Sequence, residues 1–437
     1  MKSIPSVYEE PSRKLPVLDH ADVLVVGGGP GGIGAAIAAA RNGARTILIE
    51  RFDSFGGMWT SGILSAIMPF PFVRGIFAEV IESWKARQGW SQWTWRNVTT
   101  YGEGGTYDSE VAKRALDEMI LDAGVIPYFF TQFAGVIRTG NRLDGVIVES
   151  KEGRQVIWAK QIIDASGDGD VCANAGVPFE YGREFDGAAQ PMSMIFKMSG
   201  IDTAAARAYQ KEDPDFKRAC QLAKQNGELT APQEGILTSP NPREGEWNFN
   251  TTRILGRNAT KVHDVTEATI EARRQVEGTA TFVRKYVPGF QNAVVSETAH
   301  IGVRESRRIT ADYTVTAEDI IQASAFEDCI ARGDWYIDIH NPTGAGTKHV
   351  HPPEGKWYEI PYRSIRARGI DNLLIASRCI DSTHEAHAAI RITPQVMAIG
   401  QGAGTAAALC VKQGLDSTRQ LDAAVLRETL RSQGAFV

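Results

Sequence analysis

Thr383-His384-Glu385-Ala386-His387 sets two imidazoles close together in the chain, and Arg391 follows shortly after. Imidazole is the side chain that most readily exchanges a proton near neutral pH, so this stretch suits removal of a proton from an alcohol or amine as hydride departs. His384 is the expected base, with His387 and Glu385 as the next candidates. Arg391 and Arg304 are the expected holders of charge. Arg304 opens the run Arg304-Glu305-Ser306-Arg307-Arg308, which is too charged to be buried without internal pairing. His340, His349 and His351 include a His-x-His pair, a recurrent metal-ligand spacing, but carboxylates are sparse around them. With Pro342, Gly344, Gly346, Pro352 and Pro353 beside them, a loop over the reacting groups is expected there, and no metal.

Hydride needs an acceptor, and the stretch that would hold one is Asp22–Glu50. Asp22-Val23-Leu24-Val25-Val26 predicts a strand buried on both faces. Gly27, Gly29 and Gly32 then give G-x-G-x-x-G spacing ahead of a helix rich in alanine. The first glycine permits the turn, the second lets backbone approach a pyrophosphate, and the third lets helix pack on sheet. The helix N-terminus faces the phosphates with roughly half a positive charge. Glu50, ~20 residues on, suits the adenosine ribose hydroxyls and disfavours a 2′-phosphate. Arg51 follows, and the loop Phe55-Gly56-Gly57-Met58-Trp59 supplies further backbone contact along an extended cofactor, which points to FAD rather than NAD. A third glycine turn, Gly167-Asp168-Gly169, ends the apolar run Gln161–Ala165 and suits contact with the same dinucleotide.

These pieces sit in a chain of 437 residues, enough for a large core and two domains. Hydrophobic residues make up 43% and charged residues 23%; a net charge of −5 and pI near 6.0 give no electrostatic reason for a nucleic-acid partner. Five dispersed cysteines without a C-x-x-C pair fit a reducing cytosol and exclude a vicinal redox disulfide. No signal peptide and no membrane-spanning run is read, so a cytoplasmic protein is expected. The residues up to His20 read as an extended arm. Helices are expected over 76–87, 108–123, 265–286, 394–413 and 422–431, with Thr393 as N-cap of the fourth. Strands 135–139, 143–150 and 154–159 predict an antiparallel meander, distinct from a return strand at 161–165. Trp84, Trp90, Trp93, Trp95 and Tyr101 are read as packing. Gly400, Gly402 and Gly404, inside a helical pattern, are read as close helix contacts. The fold class expected is α/β: a Rossmann-like domain with parallel sheet and meander insert over 1–178 and 364–437, and an α+β substrate domain over 179–363. No second strand, glycine turn and helix unit appears, so no dedicated NAD domain is expected.

With these motifs in hand the chain resembles the FAD-dependent oxidoreductases of the glutathione-reductase-like flavoprotein superfamily. The resemblance rests on VVGGGPGGIG from Val25, GGMWTSG from Gly56, DASGDGD from Asp164, GVRESRRI from Gly302, YEIPYRSI from Tyr358 and SRCIDSTHEAHAAIRITPQVMAIGQGAGTAA from Ser377. It implies a flavin held at the junction of an FAD domain and a substrate domain. It also implies that the helix from Pro394 points at the flavin pyrimidine edge, where N–H groups of Gln395 and Val396 would stabilise negative charge. Where much of the superfamily has Ala-Gly-Asp, this chain reads Ala376-Ser377-Arg378, so Arg378 stands at the cofactor in place of an acid, and Asp381 is an acid nearby. The function expected is hydride transfer from a small polar metabolite to flavin N5, with oxygen, a quinone or NAD(P) as final acceptor and a homo-oligomer left open. The alternatives are a monooxygenase using NAD(P)H and oxygen, and an RNA-modifying or partner-binding flavoprotein.

Overall fold

Val23, Leu24, Val25 and Val26 are buried because their strand, Val17–Val26, has a parallel neighbour on each side. Val26 lies opposite Ile49 of the strand Thr46–Ile49 and opposite Asp164 of the strand Gly153–Asp164. The computed structural model describes residues 7–93, 104–229 and 234–437. Among them the main sheet has seven strands, running Ile126–Tyr128, Thr46–Ile49, Val17–Val26, Gly153–Asp164, Arg142–Ser150, Gln132–Thr139, with Leu373–Ile375 also paired to Gly153–Asp164. The fold is thus α/β with a parallel, Rossmann-like core. The expected arm begins the central strand early, at Val17.

The meander differs from expectation in one respect. The expected strands 154–159 and 161–165 are a single strand of 12 residues. Its first half runs antiparallel to Arg142–Ser150, its second half parallel to Leu373–Ile375, and Val17–Val26 lies beside both. Ala159-Lys160-Gln161 has neither glycine nor proline to break the strand, so the meander continues the parallel sheet.

The helix after the glycine turn, Pro30–Arg41, packs on the long helix Thr393–Gln413 at backbone distance. A Cβ at Gly400 would lie 2.0 Å from the Gly31 carbonyl oxygen, one at Gly404 2.0 Å from that of Ala35, and one at Gly402 would meet Ile330 at 2.9 Å. Gly400 and Gly404 therefore serve helix-on-helix contact, and Gly402 lets the long helix close on Ile330 of the strand Cys329–Gly333. Gly404→Val should cost ~3 kcal/mol or more, since neither backbone can retreat without moving the sheet; an unchanged melting temperature would contradict this packing.

A second buried core lies between Met192 and Ala293, where Phe196, Trp247, Phe249 and Phe290 pack against one another. They line an antiparallel sheet ordered Thr238–Pro240, Trp247–Phe249, Phe196–Ser199, Val294–Thr298. Helix Val262–Tyr286 buries Ala268, Ala272, Val276, Ala280 and Val283. Trp84 is packed as expected, edge-on to Trp59 at 5.3 Å and stacked on Tyr107 at 4.4 Å. Trp95 and Tyr101 lie outside the described residues. No helix among the described residues is long and apolar enough to cross a membrane.

Candidate active site

At the dinucleotide end, Gly27 turns the chain off the central strand with φ of +104°, a conformation that favours glycine. Gly28 donates its N–H to Glu50 Oε2 at 2.8 Å and Phe52 donates to Oε1 at 3.0 Å, so the acid is held in place at the strand end. Each carboxylate oxygen keeps a lone pair for a ribose hydroxyl. Gly29 caps Pro30–Arg41 without a side-chain bond, and no acid sits in the first turn, leaving the positive helix end uncompensated.

The glycines divide by what surrounds them. A Cβ would meet the Ala165 carbonyl oxygen at 2.4 Å from Gly27, Ala376 O at 1.8 Å from Gly31 and Gly27 O at 1.8 Å from Gly32. From Gly29 it would meet nothing within 4 Å. Gly27, Gly31 and Gly32 are thus required by protein packing, whereas Gly29 opens on space beside an uncapped helix end, which fits a pyrophosphate. The second loop joins here: Gly56 donates to Gly28 O at 2.8 Å, and a Cβ on Gly57 would lie 3.2 Å from Gly29 Cα. Arg51 is exposed, with its guanidinium over the Phe52 ring at 4.7 Å.

Gly167 and Asp168 lie against Arg378, whose Nη2 donates to Asp168 Oδ1 at 2.6 Å. Arg307 Nη1 joins them by donating to Asp168 O and Asp170 Oδ1, both at 2.9 Å. Asp381 accepts from Ala311 N–H at 2.6 Å and is an anchor of the neighbouring loop.

The stretch carrying His384 is helical. Thr383 Oγ1 accepts from Ala386 N–H at 3.2 Å and caps His384–Ile390. His384, His387 and Arg391 therefore share one face. His384 Nδ1 lies 2.9 Å from Glu305 Oε1, which fixes the ring with the carboxylate as acceptor; in the neutral ring Nε2 then carries the free lone pair. Glu305, with a side chain 0% exposed, also accepts from Arg308 Nη1 at 2.5 Å and from Gln190 N–H at 2.9 Å. The buried carboxylate thus has its own counter-ion and a backbone donor. His387 is fully buried, and burial, then the charge of Arg391, holds it well below its ordinary range.

The long helix begins at Thr393 with Ile392 as N-cap, one residue earlier than the sequence suggests, so Pro394 occupies the second position. This corrects the expectation for Val396: its N–H donates to Ile392 O at 3.0 Å and is not free for a cofactor. Gln395, in the first turn, has no intrahelical acceptor for its N–H. Its side-chain amide is buried with both Oε1 and Nε2 unpartnered, an orphaned donor and acceptor that fit the polar edge of a flavin ring.

Arg391 Nη2 meets Asp338 Oδ2 at 3.4 Å and its carbonyl at 3.3 Å. Arg304 Nη1 donates to Pro191 O at 2.9 Å and Ser193 Oγ at 2.6 Å. The expected histidine loop is a pair of antiparallel strands, Ile337–His340 and Thr347–Val350. Asp338 stands between His340 Nε2 at 3.5 Å and His349 Nε2 at 3.2 Å. Burial, then the charge of Arg304, pushes His340 down to about 4, so a neutral imidazole faces Asp338. No group of three or more His, Cys, Asp or Glu side chains among the described residues is placed to hold a metal ion.

Sequence reasoning assigned no role to Glu305, Asp338 or Arg253. Glu305 carried a signal, being the acid inside an arginine run that needed internal pairing. Asp338 and His340 alternate on one face of a strand. Arg253, bonded through Nη2 to His340 Nδ1 at 3.2 Å, had none. All five cysteines are buried, and burial pushes Cys220, Cys329 and Cys410 up to about 12. The folded protein should therefore resist alkylation at neutral pH and take up five groups once unfolded. Rapid labelling of the native protein, read by intact mass, would contradict this.

The chain is similar to known proteins. The model of a family described as FAD dependent oxidoreductase matches residues 22–430. Thiamine thiazole synthase of Methanococcus vannielii is 31% identical over 161 residues, 34% of this chain and 57% of that protein. Soluble pyridine nucleotide transhydrogenase of Yersinia enterocolitica is 50% identical over 38 residues, 9% of this chain and 8% of that protein. The chain thus matches only part of the length of these curated relatives. Among solved structures, a geranylgeranyl bacteriochlorophyll reductase-like protein from Thermoplasma acidophilum has a TM-score of 0.51 at 15% identity, over 95% of this chain and 84% of that one. p-Nitrophenol 4-monooxygenase from Pseudomonas putida has a TM-score of 0.50 at 12% identity, over 95% and 87%. At such identities the likeness concerns the fold alone.

Proposed function

This chain belongs to the FAD dependent oxidoreductase family, enzymes whose cofactor is FAD, and on that premise we propose that it oxidises a small polar metabolite by dehydrogenation. The observation that carries this reading is the buried pair of Glu305 and His384, 2.9 Å apart. Glu305 orients the ring, and His384 Nε2 takes the proton from the substrate hydroxyl or amine. Bound FAD supplies the acceptor for the hydride. Gly29, Gly56 and Gly57 line its phosphate portion, Glu50 its ribose, and Gln395 its polar ring edge. Residues 1–178 and 364–437 would hold the cofactor, in the manner of the glutathione-reductase-like flavoproteins; of the expected substrate domain 179–363, the core from Met192 to Ala293 would cover the substrate, while Ile309, Cys329, Ile330, Tyr358 and Ile360 are buried with the first core.

A monooxygenase would need NAD(P)H to reduce the flavin before oxygen reacts, and the chain has one strand, glycine turn and helix unit, not two. Aerobic turnover under isotopically labelled dioxygen separates the two. Dehydrogenation leaves the product unlabelled and needs no NAD(P)H; label in the product, with NAD(P)H consumed in step, would refute it.

A further inference from the structure

Arg253, Arg304 and Arg391 come from three distant parts of the chain; Arg391 and, through His340, Arg253 meet the carboxylate of Asp338, and Arg304 lies within electrostatic reach of all three. Arg391 Nη2 is 3.4 Å from Asp338 Oδ2, and Arg253 is linked to the same carboxylate through His340. Arg304 is bound only to neutral acceptors: Pro191 O, Ser193 Oγ and, at 3.5 Å, Asn250 Oδ1. Among the described residues no carboxylate stands in ion-pair range of Arg253 or Arg304, and Arg391 Nε is buried without a partner. Guanidinium groups keep their charge in proteins, so three positive charges face one negative charge in a site largely removed from water. Burial, and then repulsion from Arg391, pushes Arg304 down to about 9, with Asp338 opposing. An added anion would relieve that repulsion.

We propose that Arg253, Arg304 and Arg391 form the seat for the carboxylate of an organic-acid substrate, an inference that rests on the dehydrogenase reading above. A planar guanidinium suits a two-oxygen anion: Arg391 Nε has no partner to give up, while Arg253 and Arg304 would exchange neutral partners, Gly344 O, Gly346 O and His340 for the one and Pro191 O, Ser193 Oγ and Asn250 Oδ1 for the other. Arg391 shares a helix face with His384, so an acid held by the arginines turns its other end toward the base.

The test is calorimetric titration of the FAD-loaded protein with propionate, neutral propanamide and inorganic phosphate. Propionate should bind, propanamide should not, and phosphate should bind more weakly than propionate. Arg304→Lys keeps the charge but loses the fork, and Arg253→Gln loses both; each should weaken propionate about tenfold or more, with FAD content and melting temperature unchanged. Equal affinity for propanamide, tighter binding of phosphate, or wild-type affinity in both variants would overturn the seat. If carboxylates bind but no acid, sugar, polyol or amine bleaches the flavin anaerobically, the seat stands and the dehydrogenase reading falls. If polyols or amines bleach it and carboxylates do not bind, the reverse holds.

Discussion

His384→Asn should slow anaerobic flavin reduction by ~10²–10⁴-fold while leaving FAD content and melting temperature close to wild type. The effect divides this way because Glu305 does not depend on His384 for its charge balance. Arg308 at 2.5 Å and the Gln190 N–H at 2.9 Å remain when the imidazole is lost, so no buried charge is orphaned. Glu305→Ala makes the contrast, leaving Arg308 buried without its carboxylate at a cost of ~3–5 kcal/mol. A His384→Asn variant that reduces its flavin at the wild-type rate would move the base to His387 or Glu385. One that fails to fold would make the histidine a structural residue.

Gly29→Val should give a folded but colourless protein. The position is extended, with φ of −70° and ψ of −179°, so a β-branched residue meets no backbone strain. Beyond its chain neighbours, no protein atom lies within 4 Å of the new Cβ. What the side chain fills is the approach to the uncapped helix end, where the pyrophosphate must come closest to backbone. Gly31→Val is the control: its Cβ would sit 1.8 Å from the Ala376 carbonyl oxygen, and folding should fail. The readouts are the flavin-to-protein ratio and circular dichroism. Full FAD occupancy in folded Gly29→Val would show that the phosphates bind elsewhere.

The cofactor end was legible because its requirements are local. Strand, glycine turn, helix and acid follow one another between Asp22 and Glu50, and each residue type answers to a backbone need that spacing reveals. The close packing of the long helix at Gly400, Gly402 and Gly404 was legible for the same reason, although Gly402 faces a strand and not the other helix. The pairing of His384 with Glu305 was only half legible. His384 and Glu305 lie 79 positions apart, and pairing over that span is decided by how separate elements dock, which no local pattern records. The unbroken strand Gly153–Asp164 was misread at its middle because strand partners, not residues, change there. Arg253 left no trace in the sequence, since one arginine beside threonines has the composition of an ordinary surface. Val396 shows how a shift of one residue at a helix start removes a free N–H.

The most direct measurement mixes oxidised, FAD-loaded protein anaerobically with a panel of sugars, polyols, amines and hydroxy acids, without NAD(P)H, and follows the flavin absorbance. Dehydrogenation by the Glu305–His384 pair requires that at least one class bleach the flavin in a single turnover, with hydroxy acids foremost. A flavin that stays oxidised against the whole panel and is bleached by NADPH alone would contradict it.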